Sequence, residues 1–342
     1  MRKREHYIDV LRGISIIGVI LIHVICALGG TEASKYYVFY LGMTRFCVAM
    51  FFVCTGSVML NKTGIIDIKT IYFKRVPRFI IAIFIYGYLH KIIRIVIGNI
   101  DMDVRDMARC YPKLFFTGEL ELTFWFMYAV IFIYMILPII KVFVKHAGDK
   151  ELKLFLTLWF LTSIVNALVN SDIVPYFRVW LNGNTKLAVA YGYPGYLILG
   201  SYLLQKDFSL VKRIVIYFMG TISAIISICE VIYRIDNGMD RTYTLFDYYS
   251  PTTIFLTIGV FVFIKAVIKG NSKLKLIEFL GRKSMGIYFI HTMLILVLMK
   301  LNLPVRESPC SVNCWAYVLI VVILSGLVTW GMSYIPLIKK IT

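Results

Sequence analysis

Apolar runs of roughly 20 residues, broken by short polar clusters, recur along the whole 342-residue chain. A helix needs about that length to cross a bilayer. Ten runs are read, over residues 8–29, 39–60, 78–98, 122–144, 153–169, 186–205, 213–235, 247–268, 284–300 and 315–338. The third and fifth are the weakest, because the third carries His90, Lys91 and Arg94 and the fifth is short. Pro194 and the glycines around it predict a bend in the sixth, which bundles tolerate where neighbours satisfy the backbone. The expected fold is all-α: a polytopic membrane helical bundle of about ten transmembrane helices. It forms a single integral-membrane domain, 1–342, with no linker, low-complexity tract or soluble domain.

Composition and charge refine this picture. The chain is 59% hydrophobic and 16% charged, whereas soluble domains are nearer half apolar and a quarter charged. The net charge of +18 does not signal nucleic acid, because the Lys and Arg residues lie in short clusters between apolar runs. With the N-terminus inside and ten alternating spans, 23 of these residues face the cytoplasm, 10 face out and four fall within spans. That bias fits both termini being cytoplasmic, next to an anionic lipid leaflet. The first run is long and lacks a small-residue cleavage pattern, so no cleavable signal is expected. The two long outer loops, 99–121 and 234–246, are acidic and aromatic, and read either as a landing surface for a polar substrate or as solvated connectors.

Within the first run one stripe carries chemistry. Arg12 and His23 are 11 residues apart, about three helical turns, and Asp9 precedes Arg12 by one turn. Ionisable groups inside a bilayer are costly, and by default they face a protein interior and mark function. The plain alternative is an Asp9–Arg12 anchor pair with a hydrogen-bonded core histidine. Arg75 and Arg78, with Pro77 fixing the backbone between them, read as a phosphate clamp or as an ordinary positive flank. His291 lies one turn after Tyr288, where a satisfied core histidine is the ordinary reading. Trp125 and Tyr128 read first as packing or interface aromatics. Arg45 and Glu230 are intramembrane charges for which the sequence names no partner. No CxxC or HExxH pattern exists, so no metal is expected. Cys310 and Cys314 share a loop, and a disulfide between them requires that loop to face an oxidising compartment.

Four stretches, in order along the chain, carry a resemblance. The opening YIDVLRGISIIGVILIHV, with Asp9, Arg12, Gly13 and His23, resembles the first-helix signature of the membrane acyltransferase 3 family. LTFWFMYAVIFIYMILP is similar to its aromatic helix through Trp125, Phe126, Tyr128, Tyr134 and Pro138. YPGYLILGSYL resembles a short family helix through Gly195, Tyr196, Gly200 and Tyr202. FLGRKSMGIYFIHTMLI resembles its penultimate helix through Gly281, Ser284, Tyr288 and His291. Arg75-Val-Pro-Arg78 stands where the family has a basic pair. One departure is Thr123, where the branch nearest to this chain often has a histidine. That branch consists of stand-alone enzymes that O-acetylate surface polysaccharide or lipid-linked oligosaccharide.

The resemblance implies an acyl-CoA-dependent O-acyltransferase, with acetyl-CoA as the expected donor, in a bacterial cytoplasmic membrane. The acceptor would be a surface glycan or lipid-linked oligosaccharide. Asp9, Arg12 and His23 would be catalytic, and Arg12, Arg75 and Arg78 would hold acyl-CoA. Trp125, Tyr128, Tyr288 and His291 would touch substrate. Acyl transfer to a hydroxyl needs a base, and histidine titrates in the right range. At about 16 residues into its helix, His23 lies about 24 Å from the cytoplasmic end, within reach of a pantetheine arm. Direct transfer and a covalent acyl-histidine relay both fit. A buried Asp/Arg/His stripe equally suits a proton-coupled transporter of a small polar solute or glycan precursor.

Overall fold

This computed structural model describes residues 5–28, 35–61, 67–169, 192–238, 245–268, 274–302 and 312–336. Among them there is no strand, and the regular structure is helical. The helices are α1 (His6–Ala27), α2 (Lys35–Thr44), α3 (Phe46–Met59), α4 (Val76–Val96), α5 (Val104–Thr117), α6 (Trp125–His146), α7 (Asp149–Val169), α8 (Tyr193–Gln205), α9 (Leu210–Asp236), α10 (Pro251–Val267), α11 (Lys275–Arg282), α12 (Ser284–Lys300) and α13 (Val312–Met332).

Six stretches among the described residues are long and apolar enough to span a bilayer: His6–Ala27, Lys35–Met59, Ile68–Val96, Val104–His146, Leu210–Asp236 and Cys314–Met332. The bent pair α11 and α12 makes a seventh if it is counted as one span. The protein is therefore a multi-pass helical membrane protein. The other expected runs appear as shorter or more polar helices. The first turn of α7 is charged, with Asp149 and Glu151, which leaves a short apolar remainder. α8 has 13 residues, and the segment before it lies outside the described residues, as does the Cys310–Cys314 pairing. Large apolar side chains such as Phe132, Ile139, Phe218, Leu319 and Leu327 are exposed. In a bilayer such positions face lipid, and the polar backbone is satisfied within the helices.

The chain forms two compact units. The first holds residues 1–22, 30–64 and 140–281; the second holds 23–29, 65–139 and 282–342. In the first unit α3 packs along α8 and α9 along α10. Val38, Leu41, Ile228, Val231 and Phe246 form a buried apolar cluster there. Gly56 and Gly200 let α3 and α8 touch backbone to backbone. A Cβ on Gly56 would meet the Leu197 carbonyl oxygen, and one on Gly200 would meet that of Val53, each at 2.0 Å. Ser57 closes the contact by donating to the Gly200 carbonyl at 2.8 Å. Association inside a membrane rests on such close van der Waals packing, because lipid is as apolar as leucine. Gly200→Val is therefore expected to lower the thermal unfolding midpoint in detergent, at a cost of roughly 1–3 kcal/mol. An unchanged midpoint would show that α3 and α8 part without penalty.

Elsewhere in this unit Lys265 donates to the carbonyls of Leu203, Leu204 and Lys206 at 3.2, 3.0 and 2.7 Å, capping the end of α8. Glu230 and Arg45, unpartnered in the sequence reading, find partners here. Glu230 accepts from Arg234 one turn on at 3.0 Å and from the Leu245 amide at 3.2 Å. The Arg45 guanidinium lies 4.6 and 4.7 Å from the ring centres of Phe246 and Tyr248.

In the second unit α12 packs on α13 and α4. The loop expected over 99–121 contains α5, whose apolar face buries Met107 and Tyr111. Gly118, at φ 76°, ends that helix in the left-handed conformation that glycine adopts without strain. Tyr111 donates to the Phe84 carbonyl and anchors α5 to α4.

Candidate active site

α1 contributes to both units. Its first turns, with Asp9 and Arg12, belong to the first unit and lie close to Cys54, whose charge environment both share. Asp9 is buried, and its backbone carbonyl sits directly beneath Gly281, where a Cβ would come within 1.9 Å. Gly13 makes the matching approach to the Ile277 carbonyl, and His6 Nδ1 lies 3.1 Å from Glu278 Oε2. These contacts clamp α11 onto the start of α1. They explain why both glycines have no room for a side chain.

His23, on the last turns of α1, belongs to the second unit and is half-buried. Its ring centre lies 5.2 Å from that of His291 on α12, and the Tyr288 ring lies 5.9 Å from His291. His291 is fully buried, and its Nδ1 lies 3.2 Å from the Ile287 carbonyl oxygen. A carbonyl only accepts, so Nδ1 carries the hydrogen and Nε2 presents a lone pair. Nε2 is buried without a hydrogen-bond partner. Two imidazoles from helices distant in sequence thus face each other among aromatic rings, with a nitrogen lone pair available for a proton.

Tyr288 ties this pair to the entrance of α6. Its hydroxyl donates to the Thr123 carbonyl, and its ring packs 5.5 Å from Phe126 and 6.4 Å from Phe124. Trp125 stands at the start of α6, partly exposed, against Phe126. The Tyr128 hydroxyl is committed to the Phe115 carbonyl at 2.7 Å.

Arg75 and Arg78 stand at the start of α4, three residues apart and so on one helix face. Arg75 is half-buried and Arg78 is exposed. The preceding turn is fixed by Asp67, whose carboxylate accepts from the amides of Lys69 and Thr70 at 3.1 Å and from the Thr70 hydroxyl at 2.6 Å. These hydrogen bonds, led by that of Thr70, hold the Asp67 carboxyl below its usual pKa. The cap is therefore complete at neutral pH and is lost as pH falls through the lowered value. Asp67→Ala is expected to loosen the turn and to lower the thermal unfolding midpoint of the purified protein in detergent, and an unchanged midpoint would show that the cap does not hold the turn.

The second unit also holds a polar group that sequence reasoning passed over. His90 is fully buried on α4, and its Nδ1 lies 3.0 Å from Glu121 Oε2. Arg94, one turn on, grips the same carboxylate through Nε at 3.1 Å and through Nη2 at 3.3 Å to Oε1 and 3.0 Å to Oε2. Arg94 Nε is also 3.4 Å from His90 Nδ1, but its shorter contact is with Glu121. The available signal is the cluster of His90, Lys91 and Arg94 in the third apolar run, which along the sequence weakens that span and names no partner. Their purpose needed Glu121, which lies in the next loop. Among the described residues no group of His, Cys, Asp and Glu is placed to hold a metal ion.

Fold and site together define a multi-pass membrane protein with acid–base groups held within its helices. Residues 5–335 match the family model described as an acyltransferase domain. The chain belongs to the acyltransferase 3 family and is a membrane acyltransferase. No curated protein and no solved structure gives a match.

Proposed function

We propose that this membrane acyltransferase moves an acyl group, expected to be acetyl, from cytosolic acyl-CoA to a hydroxyl of a cell-surface polysaccharide or lipid-linked sugar. The observation that carries the reading is the His23–His291 pair, two imidazoles whose rings lie 5.2 Å apart in a chain of this family. His23 takes the hydroxyl proton as the sugar oxygen attacks the thioester carbonyl. The carbon–sulfur bond then breaks, the CoA thiolate leaves, and the imidazolium returns its proton to the sulfur. His291, with Nδ1 tied to Ile287, packs its ring against that of His23 and holds it in place. Arg75 and Arg78 hold the CoA phosphates at the start of α4 with forked hydrogen bonds. Asp9 and Arg12 are assigned to the reaction on the family resemblance alone. Trp125 and Tyr128 line the approach to substrate. The location proposed is a bacterial cytoplasmic membrane, where a cytosolic donor is within reach.

Binding of acetyl-CoA to the purified protein tests the reading. Saturable binding measured by calorimetry supports it. No binding at millimolar acetyl-CoA sinks it and leaves proton-coupled transport of a polar solute as the use of the same histidines.

A further inference from the structure

Among the described residues of the second unit six buried polar atoms have no hydrogen-bond partner; Thr329 Oγ1 is one, and the other five are Tyr86 Oη, His90 Nε2, Thr123 Oγ1, His291 Nε2 and Thr292 Oγ1. An unsatisfied buried polar atom costs about 1–3 kcal/mol and calls for an explanation. These five gather around one pair of rings. Tyr86 stacks on Phe289 at 4.6 Å with its plane 5° away, and Phe289 meets Phe124 edge-on at 5.2 Å. His90 lies 6.1 Å from Phe124, whose chain neighbour is Thr123. Tyr86 and His90 are one turn apart on α4, and His291 and Thr292 follow Phe289 on α12.

The chemistry of this group is specific. Glu121, 3.0 Å from His90 Nδ1, only accepts when ionised, so the hydrogen sits on Nδ1 and Nε2 offers a lone pair. Arg94 is neutralised by the same carboxylate. Three hydroxyls and two imidazole lone pairs beside apolar ring surface match a polyhydroxylated ring, which has O–H donors, oxygen acceptors and apolar C–H faces. We infer that Tyr86, His90, Thr123, His291 and Thr292 form a subsite for the acceptor sugar, with His90 fixed by Glu121 and Arg94 as its anchor. This deepens the acyl-transfer reading and rests on it. His90 is a binding residue here, and Glu121 and Arg94 position it.

The test uses the full-length protein in lipid nanodiscs. Radiolabelled acetyl-CoA is the donor, and a panel of methyl hexopyranosides and methyl 2-acetamido-2-deoxyhexopyranosides supplies the acceptors. Tyr86→Phe deletes one unpartnered hydroxyl and keeps the stacked ring, so the fold is retained. It is expected to leave the melting temperature equal or higher, because an unsatisfied buried group is removed. It should leave acetyl-CoA affinity and kcat unchanged and raise the glycoside KM by about tenfold, the equivalent of one hydrogen bond of about 1.4 kcal/mol. His90→Gln and Glu121→Gln should raise the same KM at least as much. In ¹⁵N-histidine spectra of the wild type, His90 should carry its hydrogen on Nδ1, and Glu121→Gln should alter that signature. An unchanged glycoside KM in Tyr86→Phe assigns the five atoms to trapped water and overturns the inference. So does wild-type protein that binds acetyl-CoA yet acetylates no glycoside in the panel. Failure to bind acetyl-CoA at all overturns the acyl-transfer reading instead.

Discussion

His23→Ala is expected to lower acyl transfer by about 10²–10⁴-fold, the usual contribution of a positioned general base, while the Kd for acetyl-CoA stays as in the wild type. The argument rests on separation of roles. His23 faces His291 at 5.2 Å in a packed aromatic setting, whereas the proposed phosphate grip lies at the start of α4. Removing the imidazole deletes the proton acceptor but no phosphate contact. A parallel loss of acetyl-CoA affinity would make His23 part of the donor pocket, and an intact rate would remove it from the chemistry. The same variant serves the covalent alternative. If wild-type protein incubated with labelled acetyl-CoA and no acceptor traps label that His23→Ala cannot, an acyl-histidine relay replaces direct transfer. His291→Ala should also slow transfer, and by less, since it leaves the primary base in place.

Arg75→Ala combined with Arg78→Ala is expected to raise the acetyl-CoA Kd by about 100-fold or more. A hydrogen bond to a charged group contributes roughly 1.5–3 kcal/mol, and each 1.4 kcal/mol is tenfold in affinity. The pair shares a helix face, and Arg78 is exposed. Lysine at both positions should recover only part of the affinity, because the fork of two parallel hydrogen bonds is lost while the charge remains. Dephospho-CoA, which lacks the 3′-phosphate, should bind wild type and double variant with a smaller difference. Equal Kd values for wild type and double variant would return these arginines to the role of a positive-inside flank.

How much of this was legible along the chain varies from element to element. The first helix could be read outright, because a long apolar run bounded by charge has one stable solution in lipid. The helix runs His6–Ala27 where the apolar run covers 8–29, so the span is recovered with its ends displaced towards the N-terminus. The amphipathic α5 was hidden inside a loop, because its apolar residues are few and become a face only when Met107 and Tyr111 meet α4. His23 stood out because a histidine in an apolar run is costly and conspicuous. His90 did not, because its neighbours Lys91 and Arg94 made the run look like a poor span. Only Glu121, from beyond the next helix, turns that triplet into a neutralised and oriented group.

By itself the sequence determined that this protein lives in a membrane, that it is helical, and which family it resembles. Hydropathy and motif order are local properties that a linear chain states fully. The partners of its polar groups were decided by the tertiary structure alone. His23 with His291, Glu230 with the Leu245 amide, and the five unpartnered atoms around Phe124 and Phe289 are relations between segments far apart in the chain. A buried polar group is defined by what it faces, and only the packed helices settle that.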